Sequence, residues 1–79
     1  MSFWAITNID EQVKKAIQEL DMRYSRGMEF KIDDLMAVSS CKEASNYKTF
    51  FAKAEAKIAS SGKVTSTRTI NKVSYYKVK

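Results

Sequence analysis

The 79-residue chain has no histidine, no proline, one cysteine (Cys41) and only two glycines. Without histidine, neither a Ser-His-Asp nor a Cys-His nucleophile can be assembled, and the usual structural zinc sets are excluded. Carboxylates, lysines and one thiol are left as possible catalytic groups, so an enzyme is not expected, and neither a cofactor nor a metal site is predicted. A single cysteine cannot close an intrachain disulfide and has no CxxC partner, which fits a reducing compartment. Long apolar runs are missing too. The longest are short, such as Phe3-Trp4-Ala5-Ile6, so neither a ~20-residue membrane span nor a basic-then-apolar leader can be drawn. The expected location is the cytoplasm, with no membrane partner.

What is present describes one small globular domain. Apolar residues make up 44% and aromatics 11%, too much for a disordered segment, while the length supports only one core. Charge is the informative feature. The 14 Lys and Arg against 9 Asp and Glu give +5, and the excess is lopsided. Residues 1–40 are net −2, whereas residues 41–79 carry +7, with Glu43 and Glu55 as their only acids. A basic half on a small domain points to a polyanionic partner, most often nucleic acid.

Periodicity supplies the elements. Ile9, Val13, Ile17, Leu20 and Tyr24 form one stripe of a first helix, with Asn8 and Glu11 as a capping pair and Gly27 placed to close its end. Glu29-Phe30-Lys31 reads as a short strand. Ile32 to Val38 reads as one short helix with Asp33 and Asp34 in its first turn, where the helix dipole favours negative charge. A third helix follows Ala44, with Ser45 or Asn46 able to cap it, and ends at Ser60-Ser61-Gly62. Its apolar arc, Tyr47, Phe50, Phe51, Ala54 and Ile58, must face the core, leaving Ser45, Lys48, Thr49, Ala52, Lys53 and Ala56 opposite. Val64 to Ile70, a turn at Asn71-Lys72, and Val73 to Val78 make a β-hairpin. Its register stays open. A two-residue turn would put Val64 on the face of Tyr75, and a three-residue turn would put it with Tyr76 and Val78. The predicted core is Val13, Ile17, Leu20, Leu35, Phe51, Ala54 and Ile58.

The order helix, short strand, helix, helix, hairpin resembles a winged helix-turn-helix domain. Phe50 through Val64 looks like that family's third helix passing through a glycine into the wing, and Tyr75-Tyr76-Lys77-Val78 is similar to its closing strand. The resemblance covers roughly residues 9–78 and implies an α+β fold in a single domain spanning 1–79: an N-terminal arm (1–8), a three-helix core (9–62) and a β-hairpin wing (63–79). It also implies a DNA-binding transcriptional regulator, acting as a monomer or homodimer, whose third helix enters the major groove of duplex DNA while the wing touches the adjacent backbone. The carried-over contact residues are Ser45, Asn46, Lys48, Thr49, Ala52 and Lys53 on the helix, Lys42 just ahead of it, and Arg68, Asn71 and Lys72 in the wing. Ala52 and Ala56 would let the helix axis approach the bases while Lys48 and Lys53 reach phosphates. Arg68 alone has the planar fork for guanine or a narrow minor groove. The helix departs from the pattern of a sequence reader in lacking outward arginine and glutamine.

Plainer readings stand beside these. Lys48, Lys53 and Lys57 also suit an ordinary solvated helix face, and the five aromatics of the third helix and closing strand have the spacing of core packing. Phe3 and Trp4 are expected to fold back over the core, with an exposed arm serving a dimer contact as the alternative. Cys41 reads as a half-buried or loop thiol. A second function is a winged-helix module that binds a protein, for example a small inhibitor carried by a phage or other mobile element, for which the acidic residues of the first half are suited.

Overall fold

A computed structural model describes residues 4–79. Helix α1 spans Ile9–Arg23, and the Asn8 side chain accepts the Glu11 amide at 3.0 Å, so the capping pair takes the expected form. The helix ends differently from expectation. Tyr24 already turns extended (φ −116°, ψ 136°), and Gly27 (φ +89°) serves instead in a turn closed by the Met28 amide on the Ser25 carbonyl. The left-handed conformation there reverses the chain so that the Gly27 amide donates to the Val78 carbonyl at 2.7 Å and leads into the sheet.

Strand β1 (Glu29–Lys31) is followed by a 3₁₀ turn at Ile32–Asp34 and then by α2, Met36–Ser39. The single helix expected over 32–38 is thus broken at Leu35, which is extended (φ −67°, ψ 133°). Two carboxylates cause the break. Asp34 accepts the Lys31 amide at 3.2 Å and holds the 3₁₀ turn. Glu19 reaches across from α1 to accept the Met36 and Ala37 amides at 2.7 and 2.9 Å, starting a new helix there. Leu35, between them, is completely buried.

Helix α3 (Tyr47–Ser60) leads through Gly62 into the hairpin of β2 (Val64–Ile70) and β3 (Val73–Val78). The sheet is antiparallel in the order β1-β3-β2. Asn71 and Lys72 form a two-residue turn with both φ values positive, 50° and 67°, the twist that suits a tight hairpin. Continued evenly, that turn would place Val64 with Tyr75. A bulge at Thr67 shifts the ladder by one, so Val64 faces Val78 and Ser66 faces Tyr76. Turn length was therefore not the deciding variable for the register.

One face of the sheet, carrying Phe30, Val64 and Tyr76, packs on the helices together with Val13, Leu20, Leu35, Phe50, Ala54 and Ile58. Phe30 links Tyr24 and Tyr76, at ring separations of 5.2 and 6.1 Å. Within α3 the deeply buried aromatic is Phe50; Phe51 and, on α1, Ile17 are only partly covered and border the core. Cys41 is buried and its thiol lies 3.6 Å from the Ala37 carbonyl. The result is a small α+β domain of three helices and a three-stranded sheet, in a winged-helix-like arrangement. No helix among the described residues is long and apolar enough to cross a membrane.

Candidate nucleic-acid interface

The outward side of α3 follows from its inward one. Burying Phe50, Ala54 and Ile58 leaves Lys48, Thr49, Ala52, Lys53, Ala56 and Lys57 exposed on a strip that is small in the middle and cationic at its edges. Glu55, the helix's one acid, is partly exposed and accepts the Tyr76 hydroxyl of the sheet at 3.2 Å. Burial, then the nearby charge and hydrogen bond of Glu55, raise the Tyr76 pKa above its ordinary value.

Not every predicted cation is free. Lys42 lies 3.8 Å from Asp33, and Lys53 lies 3.8 Å from Asp10 on α1. Arg68 is more firmly held. Its Nη2 donates to Glu29 Oε1 at 2.8 Å and its guanidinium lies 5.0 Å above the Tyr75 ring. The bulged Thr67 donates to the other oxygen of the same carboxylate at 2.8 Å. That hydrogen bond, followed by the Arg68 charge, lowers the Glu29 pKa from its usual value. Arg68 therefore sits on the sheet face opposite the core, within the hairpin, while Asn71 and Lys72 alone form its tip. Lys48, Lys57 and Lys72 make no ion pair among the described residues.

The start of α3 is built around the N-terminal arm. Asn46 occupies the cap position, yet its side chain makes no cap bond. Its amide instead closes a reciprocal pair with the backbone of Ile6: Oδ1 accepts the Ile6 amide at 2.9 Å and Nδ2 donates to the Ile6 carbonyl at 3.1 Å. The Ser45 amide donates to the Trp4 carbonyl at 2.9 Å, while Ser45 itself stays exposed. Ile6 packs on the core; Trp4 remains 45% exposed and outside it, against the expectation that it folds over the core. Phe3 lies outside the described residues.

A groove of about 650 Å³ runs between α1 and α3, with Val13, Ile17 and Ala56 as its apolar lining and Lys14, Lys53, Lys57 and one acid, Asp10, around it. Sequence reasoning named Lys53 and Ala56 but did not bring Lys14 and Ile17 to the same place. Their positions on α1 are legible from its stripe, whereas the packing of α1 beside α3 is not. Among the described residues no cluster of three or more acidic or cysteine side chains could hold a metal ion.

Fold and surface define a winged-helix-like α+β domain with a basic, small-residue face on its third helix. No protein-family model, curated protein or solved structure matches the chain.

Proposed function

We propose that this protein binds duplex DNA through the outward face of α3, with the hairpin tip as a secondary contact, in the manner of a small regulator. The observation that carries the reading is the composition of that face. Thr49, Ala52 and Ala56 offer no bulk, Lys48, Lys53 and Lys57 surround them, and the helix's one carboxylate is engaged by the Tyr76 hydroxyl of the sheet. A helix of that kind can lie close to a groove while its lysines reach phosphates. Contacts of this type position a protein on DNA and carry little sequence information. The lack of outward arginine fits binding dominated by the backbone.

The ion pairs rank the contributors. Lys48, Lys57 and Lys72 can meet phosphate at no internal cost, whereas Lys42, Lys53 and Arg68 must first leave Asp33, Asp10 and Glu29. Titration of a labelled random-sequence duplex over a range of salt tests this. Binding should weaken steeply with salt, and Lys48→Ala, Lys57→Ala and Lys72→Ala should each flatten the salt slope by about one. Lys42→Ala and Arg68→Ala should change it less. A duplex that fails to bind at low salt removes the reading.

The groove between α1 and α3 favours a second reading, in which an acidic, partly apolar segment of another protein docks there. Its apolar lining suits side chains and not phosphates. Absent duplex binding at low salt, Ala56→Glu, at an exposed position lining the same groove, is the variant that should abolish capture of such a partner while leaving the fold intact.

A further inference from the structure

The N-terminal arm has a construction that covering the core does not explain. Ile6 already supplies the arm's apolar contact with the core. Two residues earlier, Trp4 is 45% exposed. Three hydrogen bonds nevertheless fix this stretch to the two residues that precede α3: two between Ile6 and the Asn46 amide and one from Ser45 to the Trp4 carbonyl. Asn46 makes the two bonds to Ile6 in place of the capping bond its position would allow. The bonds hold the chain across a separation of 40 residues and set Trp4 at the N-terminal end of α3. That end of a groove-binding helix is the one that approaches DNA most closely.

We propose that Trp4 is a DNA-contacting residue and that Asn46 is the positioning residue that presents it. The proposal rests on the duplex-binding reading of α3. The indole suits the edge of such a site: its apolar face packs on deoxyribose while its N–H donates to a phosphate oxygen. Both contacts are to the backbone, so the contribution is independent of sequence. The arm thus extends the interface beyond the helix and hairpin, and adds an uncharged contact that salt weakens less than it weakens the lysine contacts.

Trp4 is the only tryptophan of the chain, so it reports its own environment. A random-sequence duplex carrying a fluorophore outside the indole range is titrated with protein, and its anisotropy gives the affinity without reference to Trp4. Indole emission, excited where tyrosine does not absorb, is followed in parallel. The expected result is a change in Trp4 emission along the same binding curve. Trp4→Ala should lose about tenfold in affinity, the scale of a hydrogen bond to a charged group, with an unchanged melting temperature. Asn46→Ala removes both bonds that anchor the arm at Ile6 and leaves Trp4 held only by the Ser45 amide, so it should weaken binding, by no more than Trp4→Ala does, and show a smaller emission change on saturation. The double variant should bind no more weakly than the weaker single variant, because both remove one device.

Duplex bound by wild type with Trp4 emission unmoved, or by Trp4→Ala as tightly as by wild type, overturns the role of Trp4 and leaves the α3 reading in place. Flat anisotropy at low salt removes that reading, and this proposal with it.

Discussion

Glu19 should be among the most sensitive polar positions in the protein, although it lies on a helix face that the sequence marks as ordinary surface. Its carboxylate accepts the Met36 and Ala37 amides at 2.7 and 2.9 Å, only 10% of the side chain is exposed, and Arg23 lies 3.5 Å away. Each such charge-assisted bond contributes ~1.5–3 kcal/mol. Met36 is exposed, so water can replace one partner; Ala37 is half-buried, so its amide is less readily rehydrated. Glu19→Ala should therefore cost ~2–4 kcal/mol, less than the sum of two full bonds. For a domain of this size that corresponds to roughly 10–25 °C in melting temperature. Glu19→Gln is the sharper test. It keeps the volume but turns one acceptor into an amide donor facing another donor, so it should lose ~1.5–3 kcal/mol despite being nearly isosteric. Equilibrium urea unfolding at neutral pH, followed by circular dichroism with slopes compared between variants, measures both. A Glu19→Gln variant within ~0.5 kcal/mol of wild type would refute the claim that this carboxylate sets the start of α2.

Three further outcomes follow from the geometry. Lys72, at φ 67°, occupies a conformation that glycine adopts without strain, so Lys72→Gly should raise stability by ~0.5–1 kcal/mol while removing a cation from the hairpin tip; thermal melts and duplex titration on the same samples separate the two effects. Leu20, 3% exposed on α1, should cost ~2–5 kcal/mol as Leu20→Ala through the cavity left behind, again by urea unfolding. Tyr76 holds its proton more tightly folded than unfolded, through burial and then through Glu55. The stability it contributes is complete below the ordinary tyrosine pKa and is lost as pH rises through the elevated native one. Tyr76→Phe should therefore show a shallower fall in melting temperature at alkaline pH than wild type. Some fall should persist, because burial also raises Tyr24 and Tyr47.

The sequence by itself determined where α1, α3 and the hairpin strands lie, because each is written in a local period. The α1 stripe, the α3 arc and the paired β-branched runs each need one buried face, and only one assignment of helix or strand provides it. The small, basic outward side of α3 was legible for the same reason, as the complement of Phe50, Ala54 and Ile58. Decisions that depend on a residue far along the chain were not legible. Glu19 breaks the middle helix from α1, Asn46 leaves its own helix to hold Ile6, and Glu29 holds Arg68 on the sheet. The hairpin register turned on Thr67, whose bulge is tied to that same glutamate. A polar side chain can bond locally or at a distance with nearly equal free energy. Which of the two it does depends on what the packed core brings within about 3 Å, a separation that only the tertiary structure sets.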